Sequence, residues 1–271
     1  MRQISVSNIV WTGEPYTSFL DLLAEEGAHG IEVAASLIWK EPVESTSKQR
    51  AEWRRLVESR GLVISGLHAL LFARSDLQLL TNGNRRSQVV DYLKRTVDLC
   101  AELGGSYLVL GGPKNRRRGA LSAEEANRRG AYILNEIGNY AEQHHCCFVL
   151  EALPSPSCDF VTNLKECFEI VHLADTVGVQ LHIDAGASSV TNADTPDETL
   201  IEWGRCARHF HANDYDLVPP GSHTPQLHTR WAYLLNRANY SGWIGIEMRR
   251  TQEPTSTIQQ AIRFVRSVYF E

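Results

Sequence analysis

The sequence has no long apolar run, no large excess of charge of either sign and no Cys-x-x-Cys pair. No apolar stretch reaches the roughly 18 residues of a membrane span, and the first residues lack the apolar segment of a signal peptide. The net charge of −5 argues against a nucleic-acid partner, because such proteins are usually basic. We therefore expect no nucleic acid and no membrane as partners, and a cytoplasmic location.

Linkers, low-complexity segments and charge runs that would divide the chain are also missing. With 271 residues, of which 43% are hydrophobic, the chain can bury a sizeable core in one domain over 1–271. The six cysteines have no metal-binding spacing, so we interpret them as reduced thiols. Cys158 follows Glu151 in a predicted loop and could reach a site there, although we favour a bystander role.

Short apolar runs alternate with helix-like segments along the whole chain. Eight strands are predicted, beginning at Ile4, Gly30, Leu62, Gly105, Cys147, Val179, Arg208 and Trp243. Eight helices separate and follow them, the last ending at Phe270. Strict alternation with short connections predicts a parallel α/β sheet, and eight units favour a closed (β/α)8 TIM barrel. A doubly wound sheet of the same length is the alternative fold.

Four of the predicted strands end on a side chain that can bind a metal, namely Glu151, Asp184, His211 and Glu247. Neighbouring members of this set are separated by about the 30 residues of one strand-plus-helix unit. Parallel strands would therefore bring all four to one rim. Each acid taken singly could equally be an ion-pair or helix-cap residue. Three carboxylates at buried strand ends repel one another, however, and a divalent cation removes that cost.

Three carboxylates and one imidazole suit Mn²⁺, Mg²⁺ or Co²⁺, with Zn²⁺ as an alternative. His182 and His209 each lie two residues before a predicted ligand. By the two-residue period of a strand they should point to the same interior, one layer deeper. We expect them to be hydrogen-bonded supporting residues and not ligands. Glu32, near the end of the second strand, is expected to orient a neighbour.

Two further features are candidates for contacting a substrate. His68 ends the third strand, where a structural role is about as plausible as substrate contact. The loop after the fourth strand begins Gly111-Gly-Pro and carries Lys114 and Arg116, which could bind a carboxylate or phosphate. The alternative is a solvated basic loop. We prefer that alternative for Arg117 and Arg118, and we favour the site for Lys114.

These motifs resemble the xylose isomerase-like barrel superfamily, in the branch of sugar isomerases and epimerases that includes the tagatose and psicose 3-epimerases. The resemblance spans essentially the whole chain. It implies that the four strand-end residues hold one divalent metal and that Glu151 and Glu247 are the acid/base pair on either face of the sugar carbon. It is carried by Val149-Leu-Glu151, His182-Ile-Asp184, His209-Phe-His211 and Ile244-Gly-Ile-Glu247.

Two positions depart from the epimerase pattern. Ala187 stands where the epimerases have a substrate-binding histidine, and Leu217 where they have a substrate-binding arginine. The loop around Lys114 is a candidate to replace one contact, and His223 or Arg249 the other. The same superfamily includes inosose and dehydroshikimate dehydratases, and an endonuclease class that needs more metals and more rim histidines than this acidic chain offers.

The sequence thus favours a metal-dependent isomerase or epimerase of a small sugar or related polyhydroxy carbonyl compound. A carboxylate would remove the proton next to the carbonyl, giving a metal-stabilised enediolate. A lyase or dehydratase sharing this first step is one alternative, and a metabolite-binding protein without turnover is another. The oligomeric state is left open between monomer, homodimer and homotetramer.

Overall fold

The strands close into a barrel. The computed structural model describes residues 2–11, 15–155 and 157–270, and its eight strands follow one another around the barrel in chain order with parallel pairing throughout. The (β/α)8 barrel prediction is therefore confirmed. The strands are β1 (Gln3–Ser7), β2 (Gly30–Ala34), β3 (Val63–His68), β4 (Tyr107–Leu110), β5 (Cys147–Glu151), β6 (Val179–Asp184), β7 (Ala207–Ala212) and β8 (Trp243–Ile246).

Nine α-helices surround the barrel in the described part of the chain, one more than the eight predicted. They are α1 (Tyr16–Glu25), α2 (Ser47–Glu58), α3 (Gly83–Leu103), α4 (Ala123–Gln143), α5 (Leu164–Ala174), α6 (Ala185–Thr191), α7 (Asp197–Cys206), α8 (Pro225–Arg237) and α9 (Pro254–Tyr269). The additional helix is α6, which starts directly after β6. It was missed because its N-terminal cap is Asp184, a residue that the sequence pattern assigns to the end of a strand.

Element boundaries shift by a few residues from the prediction, for example in β1, α3 and β8. β1 ends at Ser7 and gives way to a 3₁₀ turn over Asn8–Val10, where a longer strand was expected. α3 begins at Gly83, ahead of the predicted Ser87. β8 ends at Ile246, so Glu247 lies one residue beyond the strand. None of these shifts moves a predicted metal ligand away from the carboxyl ends of the strands.

Alternation along β5 shows how the barrel positions its polar residues. Phe148 and Leu150 belong to the large core between strands and helices. Cys147 and Val149 form a small separate cluster with Tyr107, Val109 and Trp243. Because successive side chains point to opposite faces, Glu151 shares the inner face with Cys147 and Val149. The same period places His182 and Asp184 together on β6, and His209 and His211 together on β7.

All six cysteines are free, and five of them are buried. The Cys158 thiol donates a hydrogen bond to the carbonyl of Phe160 at 3.0 Å, consistent with a bystander. No helix in residues 2–11, 15–155 and 157–270 is long and apolar enough to cross a membrane.

Candidate metal and substrate site

The site lies at the carboxyl ends of the last four strands. Asp184 pairs in register with His211 across β6 and β7, and Glu151 pairs with His182 across β5 and β6. His211 is buried and Asp184 nearly so, whereas Glu151 is 9% exposed and the Glu247 side chain is 14% exposed. The two glutamates therefore border the opening through which a substrate would enter.

Four side chains converge closely enough to hold one metal ion. One ligand atom from each of Glu151, His182, Asp184 and His211 lies within 4.8 Å of the other three. His182 Nε2 and His211 Nδ1 are buried without any hydrogen-bond partner. A bound cation would satisfy such atoms, so the donor set fits a divalent metal.

This group differs from the predicted ligand set in one member. Glu151, Asp184 and His211 are common to both, but the structure adds His182, which was expected to be a hydrogen-bonded supporting residue. Its Nδ1 does lie 3.0 Å from Nδ1 of His209, as that expectation requires. Its Nε2 has no hydrogen-bond partner. Nδ1 therefore fits the predicted supporting role, whereas Nε2 is free to bind a metal.

The fourth predicted ligand, Glu247, faces the same nitrogen of His211 as Asp184 does. Its Oε2 is 3.1 Å from His211 Nδ1, although the angle is not that of a hydrogen bond. Its Oε1 is 3.1 Å from Nδ1 of His68, and His68 Nε2 lies 2.7 Å from the Ser7 hydroxyl. His68 is therefore buried in the site, where it supports Glu247.

Glu32 fixes the orientation of the His211 ring from below. Both of its carboxylate oxygens lie 3.1 Å from His211 Nε2, which places the ring proton on that nitrogen. Nδ1 then presents a lone pair towards Glu247 Oε2 and, at 3.8 Å, Asp184 Oδ2. A lone pair that faces two carboxylates is unfavourable unless a cation lies between them or the ring takes a second proton. Glu32 thus orients a neighbour, as its position predicted.

Asp184 is held by two hydrogen bonds that leave little freedom to its carboxylate. Its Oδ1 accepts from the backbone N–H of Ala187 at 2.6 Å, and its Oδ2 accepts from the Asn213 amide at 2.8 Å. The Asn213 side-chain oxygen accepts from the N–H of Gly186 at 2.9 Å. Asn213 was not anticipated from the sequence, although an amide two residues after the predicted ligand His211, at a strand end, was a usable signal.

Burial and mutual repulsion separate the pKa values of the three acids. Burial raises the pKa of Glu151 to about 8, the charges of Glu247 and Asp184 add to the rise, and those of His211 and Arg116 oppose it. Burial also raises the pKa of Asp184 to about 6. Burial acts in the same direction on Glu247, but the charge and contacts of His211 and His68 outweigh it and hold that pKa well below its usual value.

The predicted substrate-binding residues divide into two groups. His68 and Arg116 are buried, whereas Lys114, His223 and Arg249 are exposed. Arg249 pairs with Asp216, and the backbone N–H of His223 donates to Asp214 at 2.6 Å. Of the two loop residues predicted to bind substrate, the structure turns Lys114 outwards and buries Arg116, so the geometry favours Arg116.

Comparison with known proteins identifies the family. The model of the xylose isomerase-like TIM barrel family matches residues 20–268. This chain belongs to that family, as its motifs predicted. No curated protein sequence matches it.

Several solved barrel structures superpose on this chain over nearly its whole length. One is a D-psicose 3-epimerase determined in the presence of D-fructose, with 16% identity and a TM-score of 0.82, covering 99% of this chain and 100% of its own. A 3-keto-D-glucoside 4-epimerase from E. coli has 18% identity and a TM-score of 0.82, with 98% and 100% covered. An L-ribulose 3-epimerase has 14% identity and a TM-score of 0.80, with 100% and 95% covered. At these identities the likeness concerns the fold.

Proposed function

We propose that this protein is a divalent-metal-dependent isomerase or epimerase acting on a small sugar or related polyhydroxy carbonyl compound. The observation that carries the proposal is the convergence of Glu151, His182, Asp184 and His211 ligand atoms within 4.8 Å, at the end of the barrel where TIM-barrel active sites lie. Structures of similar fold named as psicose, ribulose and keto-glucoside epimerases support the substrate class.

Glu151, Asp184 and His211 would hold the metal, with Glu247 as the fourth ligand. We favour Glu247 over His182 because Glu247 borders the opening, whereas His182 is fully buried, and a metal that also contacts substrate needs ligands at the opening. His182 would lie beneath the ion and add to its binding. A bound Mn²⁺, Mg²⁺ or Co²⁺ would supply positive charge that stabilises negative charge developing on substrate oxygens.

The acid/base chemistry would come from Glu247 and Glu151. His68 and His211 keep Glu247 ionised, so its carboxylate can take a proton from a substrate carbon. In the metal-free protein burial raises the pKa of Glu151 to about 8, and a bound cation would lower it. Glu151 would serve as the second acid/base group, on the other face of the same carbon.

The test is a screen of ketoses, inososes and keto acids with Mn²⁺ present, read by proton NMR in deuterated water. Deuterium incorporation at the carbon beside the carbonyl, with epimer or isomer formation, is the expected result in the parent protein. Glu151→Gln and Glu247→Gln should each lower turnover by at least about 10²–10⁴-fold. Full conversion surviving in either variant would contradict the two-carboxylate mechanism.

The matched control is Glu41→Gln, which changes an exposed acid of the β2–α2 loop and should retain full activity. Product lighter by one water would instead assign a dehydratase. Substrate binding without any deuterium exchange would assign a metabolite-binding protein.

A further inference from the structure

The Arg116 guanidinium is buried but has no hydrogen-bond partner in the protein. Its side chain is 0% exposed, and none of its three guanidinium nitrogens makes a hydrogen bond. A buried charge without compensation is strongly unfavourable, and native structures retain one where a ligand or another charge completes it. We therefore expect the Arg116 guanidinium to bind an anion that the protein itself does not supply.

Arg50 shows what a structural buried arginine looks like in the same molecule. It is 7% exposed, and its guanidinium is fully engaged by Glu102 at 2.9 Å, by the Ser45 hydroxyl at 2.9 Å and by the carbonyl of Val43 at 3.1 Å. Arg50 thus satisfies its charge inside the fold. The contrast indicates that the unpartnered state of Arg116 is specific to its position and not a general feature of buried arginines here.

The loop that carries Arg116 is held in place by its neighbours. The Asn115 amide donates to the carbonyls of Arg74 and Leu77, both at 2.8 Å, which joins the loop to the segment after β3. The Arg118 N–H donates to Asp159 at 2.6 Å and the Arg117 guanidinium donates to the carbonyl of Ser157 at 3.1 Å, which joins it to the segment after β5. Arg116 is therefore preorganised at the rim.

Arg116 lies beside the metal site. Its charge acts on the Glu151 carboxyl, and a methyl group at Gly111, which opens the same loop, would lie 2.2 Å from Glu151 Oε2. Glu151 is also one of the two acids that border the opening. No hydrogen bond joins the two side chains, so the guanidinium keeps its full donor capacity for a molecule that reaches Glu151.

We propose that Arg116 forms an anion subsite and that the substrate is a sugar acid, whose carboxylate binds the Arg116 guanidinium while its carbonyl end lies at the metal site. This inference rests on the proposed function and narrows its substrate class. A carboxylate is favoured over a phosphate because one guanidinium balances the single negative charge of a carboxylate, which it binds in a two-bond fork. A phosphate carries up to two negative charges, and Lys114 and Arg117 of the same loop are exposed.

The experiment compares three probes that differ only at carbon 6: D-fructose, D-fructuronate and D-fructose 6-phosphate. Binding to the Mn²⁺-loaded full chain is measured by calorimetry, in the parent and in Arg116→Met, Arg116→Lys and Lys114→Met. Lys114 is exposed in the same loop, so its variant removes a positive charge that is turned away from the site and serves as the control. One charge-assisted pair corresponds to about a 10–100-fold preference for the acid over the neutral sugar.

The expected result is that preference in the parent and in Lys114→Met, a ratio near one in Arg116→Met and an intermediate ratio in Arg116→Lys. Equal binding of fructose and fructuronate by the parent would overturn the proposal, and tighter binding of fructose 6-phosphate would overturn its assignment to a carboxylate. An Arg116→Met variant that weakens Mn²⁺ as much as it weakens fructuronate would overturn it too, since Arg116 would then act only on Glu151.

Two readouts keep the outcomes separable. Arg116→Met removes an uncompensated buried charge, so it should unfold at no lower temperature than the parent, and Arg116→Lys replaces it if it does not fold. Mn²⁺ affinity and deuterium exchange into fructose test the proposed function without reference to the carboxylate. A parent protein that neither binds Mn²⁺ nor exchanges deuterium into fructose would refute the proposed metal enzyme. A parent protein that does both but shows no preference for fructuronate would refute only the anion subsite.

Discussion

The two halves of the barrel contribute differently to the site. The half from β5 to β8 supplies Glu151, Asp184, His211 and Glu247, and it ends in nitrogens with no partner, such as His211 Nδ1. The half from β1 to β4 supplies Ser7, Glu32 and His68. Glu32 lies 3.1 Å from His211, and His68 lies 3.1 Å from Glu247. The Ser7 hydroxyl in turn lies 2.7 Å from His68. One half carries the predicted ligands, and the other contacts and orients them.

This difference teaches that burial alone does not distinguish the residues that could bind a ligand from those that orient them. Glu32 is as buried as any residue of the site, yet its carboxylate is fully occupied by His211. Substitutions in the two halves should therefore have effects of different size on metal binding. Comparing them tests whether the division between binding and orienting residues is real.

The largest effect is expected for Asp184→Asn. It removes a charged ligand while retaining an oxygen that can still accept from Ala187 N–H, so Mn²⁺ affinity should fall by more than about 100-fold with little loss of folding. Calorimetric titration with Mn²⁺ measures the change, and Asp194→Asn, at an exposed position in the segment after α6, is the control. Parent-like affinity in Asp184→Asn would show that the site is misplaced.

An intermediate effect is expected for Glu32→Gln and His182→Gln. Both residues touch the predicted ligands or lie beneath them, and loss of such support usually costs roughly 10–100-fold in metal affinity. The same titration applies, with Glu41→Gln as the control for Glu32. If His182→Gln abolished binding as completely as Asp184→Asn, His182 would be a direct ligand and Glu247 would lose that role.

A smaller effect concerns pH and the stability of the metal-free protein. Burial raises the pKa of Glu151 from 4.5 to about 8. The pKa of His211 lies well above its usual 6.5, because Glu32 and Glu247 outweigh the opposing effect of burial. Between pH 6.5 and 8 the folded state therefore holds protons at Glu151 and His211 that the unfolded chain has released, so this pair lowers stability as pH rises. Burial lowers the pKa of His182 and His209, which acts in the opposite direction but chiefly below their unfolded value of 6.5.

We expect the unfolding temperature without metal to drop by about 5 °C across that interval. Scanning calorimetry of the chelator-treated protein at pH 6.5 and 8 makes the measurement. The drop should be smaller in Glu151→Gln, which has no proton to release at that position. A stability that rises over the interval would contradict the pKa directions for this pair.

The smallest effect is expected for Tyr269→Phe, away from the metal. The Tyr269 hydroxyl lies 2.8 Å from His228 Nδ1, His228 Nε2 lies 2.8 Å from Asp214, and Asp214 accepts from the N–H groups of Gly221, His223 and Thr224. Loss of the tyrosine hydrogen bond should cost about 1 kcal/mol, or ~2–4 °C. Thermal unfolding measures this loss of stability. Mn²⁺ affinity should stay unchanged, and a change in that affinity would show that the Tyr269–His228–Asp214 contacts influence the metal site.

The sequence by itself determined the barrel and the side of each strand on which the candidate ligands lie. Strand alternation is a local property, so the two-residue period along Cys147–Glu151 and Val179–Asp184 was enough to predict that Glu151 and Asp184 face the interior. Spacing by one strand-plus-helix unit then implied a shared rim. That Glu32 orients a neighbour also followed from its place near the end of β2, whereas the structure identified that neighbour as His211.

Only the tertiary structure decided how individual side chains are used. Lys114 and Arg116 belong to one basic loop and are equivalent in the sequence, but contacts from the segments after β3 and β5 turn one outwards and bury the other. Arg249 was predicted to contact substrate, but in the structure it forms an ion pair with Asp216. The unpartnered nitrogen of His182 arises from its ring pairing with His209 on the adjacent strand. Each outcome depends on residues distant in the chain, which local periodicity does not encode.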